Sequence, residues 1–161
     1  MASSRPIKRN EHIMPLSREH HMGLLFCWKL RQGVKREIAP DRIRKYINYF
    51  WDTHLKQHFE EEENILFNQV KHKFCDEAIV QHQQITDMIQ RINTAGKEVP
   101  GIYTSLAALI DQHIRFEERE LFPYLESALS AKSLSNIGIQ LKNMHAVTPV
   151  DNYQDEFWVK V

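Results

Sequence analysis

Two stretches of the chain repeat one pattern: His58-Phe59-Glu60-Glu61-Glu62-Glu63-Asn64-Ile65-Leu66-Phe67 and His113-Ile114-Arg115-Phe116-Glu117-Glu118-Arg119-Glu120-Leu121-Phe122. In each, a histidine is followed at i+4 and i+5 by glutamate and at i+8 and i+9 by Leu-Phe. Residues four apart share a helix face, so His58, Glu62 and Leu66 form one stripe and His113, Glu117 and Leu121 another. Each stripe offers an imidazole, a carboxylate and apolar cover. A looser correspondence links Glu19-His20, with Gly23, Cys27 and Leu30 at i+3, i+7 and i+10, to Gln81-His82, with Ile85, Ile89 and Ile92 at the same offsets. The chain therefore reads as a duplicated helix pair. Four helices each turning one histidine inward, two with matched carboxylates, would bury polar groups at a cost of several kcal/mol unless a cation sits among them.

The 161 residues suit one domain of ordinary size, and 42% hydrophobic with 26% charged content is the profile of a soluble globular chain. Lys+Arg and Asp+Glu both number 21, so net charge makes no case for nucleic acid or an acidic membrane as partner. No apolar run approaches the roughly 20 residues of a membrane span. Met1 to Asn10 is basic and polar, without the apolar run of a secretory signal, so export is not expected. Cys27 and Cys75 lack C-x-x-C spacing, which predicts reduced, buried thiols in the cytoplasm and no cysteine metal site. The oligomeric state leaves no mark in the sequence.

Residues 1–14 read as a leader, with His12 at the surface or in packing. Pro15-Leu16-Ser17 opens a first helix, capped by Ser17 and running to about Lys35. Its inward stripe is Leu16, His20, Gly23 or Leu24, Cys27 and Leu30, and His21 lies about 100° round. Ala39-Pro40-Asp41 starts a second helix that continues to about Lys71 and buries Ile43, Ile47, Phe50, Trp51, Leu55, His58, Glu62 and Leu66. His54 faces the same way as His58, as a core residue, an outer partner or a ligand. Glu60, Glu61 and Glu63 spread round the helix, most of them solvated. A third helix occupies about Phe74 to Thr94, ended by Ala95-Gly96, and the Val99-Pro100-Gly101 loop leads to a fourth over Ile102 to Ala131, with Pro123 a candidate kink.

The expected fold is all-α: an up-down-up-down four-helix bundle over residues 15–131. Residues 132–161 form an extension in which a short helix, Leu134 to Met144, and an aromatic tail with Tyr153, Phe157 and Trp158 strap across the bundle. No chemistry is expected there, and His145 is placed at the surface. With the histidines at one level, the ligand set is His20, His58, His82 and His113 with Glu62 and Glu117. If each glutamate bridges two metals, each metal receives two nitrogens and two carboxylate oxygens; an oxide or hydroxide bridge adds a fifth donor and leaves one octahedral position open. Nitrogen and oxygen donors without thiolate fit iron or manganese, with zinc possible, and not a closed structural zinc site or a calcium or magnesium cage. Metals about 3.5–4 Å apart can share charge over one small ligand.

These residues resemble the hemerythrin-like (HHE cation-binding) domain. His-Phe-x-x-Glu-Glu-x-x-Leu-Phe at His58 and its echo ending in Leu-Phe-Pro at His113 match that family's two ligand-rich helices. Leu16-Ser17-Arg18-Glu19-His20 and Gln81-His82 match its two shorter histidine helices. The resemblance covers about Pro15 to Ala131. It implies a non-haem, oxo-bridged pair of iron ions that binds dioxygen or nitric oxide, in sensing, scavenging or iron and oxygen handling. Two departures qualify it. Oxygen carriers supply a further histidine one turn before His82, where this chain has Ala78, which argues against a carrier role: one metal is more open, or is completed by His54, His21, Glu61 or water. Some relatives place the fourth-helix carboxylate at i+5, which selects Glu118; the internal repeat selects Glu117. Members that repair iron–sulfur clusters carry a cysteine-containing N-terminal segment that this sequence lacks, so that role is not expected. Two other readings stand beside it: an enzyme reducing peroxide or O2, with Tyr46, Tyr49, Tyr103 or Trp51 as redox candidates, and a metal-free bundle acting through protein contacts.

Overall fold

Proline sets the start of the second long helix: Pro40 fills its first turn, where its missing N–H leaves no bond unmade, after Ala39 in an extended conformation. The computed structural model describes residues 8–94, 101–145 and 150–159. Its regular elements, among the described residues, are all helical. They are α1 Met14–Lys35, α2 Pro40–Phe50, α3 Lys56–Glu61, α4 Lys73–Thr94, α5 Ile102–Phe116, α6 Phe122–Ala128 and α7 Ala131–Met144. The expected Ala95-Gly96 stop and most of the Val99-Pro100-Gly101 loop lie outside the described residues; Gly101, at φ 75°, leads into α5.

Two rods are interrupted without being broken. Wide turns with i→i+5 bonding span Trp51–Leu55 between α2 and α3, Glu62–Leu66 after α3, and Glu117–Leu121 between α5 and α6. The second rod therefore runs from Pro40 through Gln69, and the fourth from Ile102 through Ala128. The fourth stops short of the expected Ala131, because Leu129 turns extended and Ser130 caps α7 by accepting the Ser133 N–H at 3.1 Å. Ser17, expected as a cap, sits inside α1; Ile13 is the cap residue, and the Ser17 hydroxyl donates instead to Glu118.

Neighbouring rods meet in opposite residue order. Ser17 and Arg31 of α1 meet Glu118 and Asp111, and Glu19 and Phe26 meet His58 and Phe50. On α4, His82 stacks on Phe59 and Asn93 bonds Asn48, while Phe74 and Gln81 meet Phe116 and His113. Two apolar clusters form along the rods, one around Phe26, Tyr46, Phe50, Ile85 and Leu106, the other around Ile13, Leu16, Leu66, Leu121 and Phe122. His20 and His82 on two rods, and Glu62 and Glu117 on the other two, lie between them in sequence, so a polar layer divides two apolar ones. Ile137 and Leu141 of α7 join the second cluster, and Phe157 and Trp158 join the first. Lys29, itself buried, reaches Asp151 at 3.0 Å and lies 4.1 Å over the Trp158 ring, tying residues 150–159 to α1. Among the described residues no helix is long and apolar enough to cross a membrane.

Candidate metal centre

Inside the polar layer, Glu62 and Glu117 are fully buried, 0% exposed, and each stands among imidazoles. Glu62 Oε2 lies 3.3 Å from His58 Nε2 and 3.6 Å from His20 Nε2, and its Oε1 lies 3.1 Å from His82 Nε2. Glu117 Oε1 lies 2.6 Å from His113 Nε2 and 3.5 Å from His20 Nε2. Two donor groups result, His20/His58/Glu62/Glu117 and Glu62/His82/His113/Glu117, each with its ligand atoms within 4.8 Å of one another. The two glutamates belong to both.

The other nitrogen of three of the four imidazoles is hydrogen-bonded from outside, and that of His20 faces a carboxylate without a hydrogen bond among the described residues. His58 Nδ1 meets Glu19 Oε2 at 2.5 Å, His82 Nδ1 meets Glu63 Oε2 at 2.9 Å, His113 Nδ1 meets Gln81 Oε1 at 2.7 Å and His20 Nδ1 lies 3.2 Å from Glu118 Oε1. Acceptors on Nδ1 favour the Nδ1–H form and leave the Nε2 lone pair facing inward, the orientation of a metal-binding imidazole. The inward atoms are correspondingly unbonded: Nε2 of His20, His58 and His113, Oε2 of Glu62 and both Glu117 oxygens have no hydrogen-bond partner among the described residues. Buried polar atoms that converge without bonding one another are what a cation would satisfy. The residues present thus fit bound metal cations.

Electrostatics agree. Burial lowers the pKa of an imidazole, yet for His58 it is outweighed by Glu62 and Glu19, which push it up to about 10. Burial is likewise outweighed at His82, pushed up to about 9 by Glu62 and Glu63, and at His20, raised by Glu117, Glu118 and Glu62. Glu62 is held well below the carboxylate range: burial opposes ionisation, but His58, His20 and His82 favour it more. Metal uptake must displace such protons.

A cavity of about 40 Å³, lined by His20, His58 and His113 and by Gly23, Phe50 and Ile114, opens on this layer. One water needs about 10–15 Å³ by the same kind of measure, so a diatomic molecule fits. His54 stands in the cavity wall with both ring nitrogens buried and unpartnered among the described residues. Burial lowers its pKa against the pull of Asp151 and Glu19, which favours the neutral ring.

The six expected ligands, His20, His58, His82, His113, Glu62 and Glu117, are brought together. The four additional candidates are not part of either donor group. His21 is exposed. Glu118 holds His20 from outside and pairs with Arg9 at 2.9 Å. Glu61, expected among the solvated acids, is 1% exposed because Gln57 donates to it at 2.9 Å and His145 Nε2 reaches it at 2.6 Å. His145, expected at the surface, has a side chain only 13% exposed and also meets Glu19, at 3.1 Å. Ala78 is buried in the second apolar cluster and offers no donor.

Sequence reasoning missed the outer partners, although the repeat carries them. The residue before each short-helix histidine, Glu19 or Gln81, holds a histidine of the adjoining rod; the residue after each inner glutamate, Glu63 or Glu118, holds a short-helix histidine. The doubled Glu-Glu and the matched Glu-His and Gln-His pairs were the available signal.

Compared with known proteins, the chain finds no match among curated proteins and none among solved structures. The family model described as "Hemerythrin HHE cation binding domain" matches residues 12–132. The chain belongs to the hemerythrin HHE cation-binding domain family.

Proposed function

We propose that this chain is a cytoplasmic, non-haem di-iron protein that binds O2 or NO for sensing, scavenging or iron and oxygen handling. The iron pair carries an oxide or hydroxide bridge, and manganese or zinc can occupy the same donors. The observation that carries the reading is the pair of donor groups sharing Glu62 and Glu117, with every Nε2 turned inward and an outer side chain bonded to Nδ1 of His58, His82 and His113. His20 and His58 would hold one ion and His82 and His113 the other, with Glu62 and Glu117 offering carboxylate oxygens to both groups. On this reading the rods form an up-down-up-down four-helix bundle, with α7 and residues 150–159 packed across it.

Bound iron supplies reversible one-electron chemistry and an open position for a diatomic ligand. The chain's own residues do the rest. Glu19, Glu63, Gln81 and Glu118 keep the imidazoles from rotating and keep their protons on Nδ1. Phe50, Ile110 and Ile114 exclude water from the cavity, which favours small apolar molecules over anions. His54, in the cavity wall, would offer a polar group to a ligand held there. The candidate redox aromatics are engaged elsewhere: the Tyr46 hydroxyl bonds Asp151, Tyr49 bonds Asn152 and Tyr103 bonds the Pro40 carbonyl.

The test is exposure of reduced, iron-loaded protein to O2 and separately to NO. Spectral changes that reverse on removing the gas support a carrier or sensor. Sustained consumption of peroxide over many turnovers, without reversible gas binding, would replace this reading with the enzymatic one.

A further inference from the structure

His145, at the end of α7, lies beyond the family-matched stretch of 12–132, yet it reaches the polar layer. Its Nδ1 is 3.1 Å from Glu19 Oε1 and its Nε2 is 2.6 Å from Glu61 Oε2. The remaining oxygens are also engaged: Glu19 Oε2 meets His58 Nδ1 at 2.5 Å, and Glu61 Oε1 accepts from Gln57 at 2.9 Å. One imidazole therefore ties a carboxylate of α1 to a carboxylate of α3, and the α1 carboxylate orients His58. A side chain anchored through one oxygen presents the other in a fixed direction, so the tie reaches the inner face of His58 through two contacts. The second donor group has no such link, because its outer acceptors, Glu63 and Gln81, do not touch α7 among the described contacts.

We propose that His145 is a positioning residue for the metal centre: it anchors Glu19 against His58, so that the segment following the family domain sets the metal affinity of the His20/His58 position alone. The proposal rests on the two-metal reading above. Outer hydrogen-bond partners of metal-binding histidines contribute about 10–100-fold to affinity, which is the size of effect expected here at one position and not the other.

The test uses the full chain, with Zn2+ titrated against a chromogenic chelator and the His58 Nδ1–H followed by NMR in the zinc-loaded protein. His145→Phe keeps a ring but no donor; His145→Gln restores an amide able to donate to both carboxylates. The half-exposed neighbour Met144→Ala is the control. The expected result is two zinc ions per wild-type chain, one bound about 10–100-fold more weakly in His145→Phe, with faster solvent exchange of the His58 proton, partial recovery in His145→Gln and wild-type behaviour in Met144→Ala. Unchanged affinities and exchange in His145→Phe overturn the proposal while leaving the two-metal reading intact. Equal weakening at both positions, together with a lower melting temperature of the metal-free protein, also overturns it, as a merely structural role. A third zinc lost only on replacing His145 makes that residue a ligand and overturns it too. Failure of the wild type to take up zinc overturns the two-metal reading itself, and this proposal with it.

Discussion

At the scale of single residues, the centre is defined by what its atoms lack. Glu62 and Glu117 are buried charges surrounded by imidazole nitrogens, only one of which, His82 Nε2, is hydrogen-bonded to them among the described residues, and removing either leaves a partner uncompensated. Glu62→Gln or His58→Ala is expected to abolish metal uptake, read as metal content by elemental analysis; His54→Leu should keep the metal and change the gas-dissociation rate. Full metal loss in His54→Leu would make His54 a ligand. Protonation gives a second prediction. In the metal-free protein, His58 is pushed up to about 10 and His82 to about 9, from an ordinary 6.5. A group whose folded pKa is raised stabilises fully below its unfolded value, and that contribution is lost as pH climbs through the folded value. The unfolding free energy of metal-free protein should therefore fall between pH 6.5 and 10, by up to about 1.4 kcal/mol per pH unit for each histidine, and the melting temperature with it. A melting temperature flat over that range contradicts the assigned environment. The inner six residues were legible because the repeat sets His58 and Glu62, and His113 and Glu117, four apart and matches His20 to His82 by shared apolar offsets; the pairing of the outer four was not, because each serves a histidine on another rod.

Among the elements, helix type and approximate ends could be read from periodicity and from Pro15, Pro40 and Gly101. The wide turns could not. Trp51–Leu55, Glu62–Leu66 and Glu117–Leu121 contain ordinary helix-forming residues, and an extra residue per turn leaves no compositional trace. Two of the three begin at the inner glutamates, so each carboxylate sits where the backbone changes phase. Close approaches between elements make a sharper test. A Cβ on Gly33 would lie 2.8 Å from the Phe157 ring and 3.0 Å from Ile43 Cδ1, whereas on Gly23 it would meet only the flexible end of Ile114, at 2.8 Å. Gly33→Ala should destabilise by about 1–3 kcal/mol by overpacking. Gly23→Ala should be nearly neutral, because about 1 kcal/mol of helix propensity offsets a small shift of Ile114. Urea unfolding of the two variants checks this, and the reverse ranking would contradict the packing described.

Taken whole, the molecule places a charged layer between two apolar clusters and closes it with its own C-terminal residues. Sequence reading anticipated an aromatic tail but assigned it no chemistry; His145 meets Glu61 from 84 residues away in the chain and Asp151 meets Lys29 from 122 residues away, separations that no local pattern records. Burial of Cys27, whose thiol is pushed up to about 12 chiefly by desolvation, predicts slow alkylation at pH 8 until the chain unfolds, measurable by mass spectrometry. Rapid labelling of native protein would show the first cluster to be open. The most direct test of the central claim is metal content, with the ultraviolet-visible spectrum, of protein purified without chelator, before and after reduction and return to air. The account predicts about two irons per chain, the number of donor groups sharing Glu62 and Glu117, with charge-transfer bands that vanish on reduction and return with air. Colourless protein that holds no metal, and takes up none when offered iron anaerobically, would contradict it.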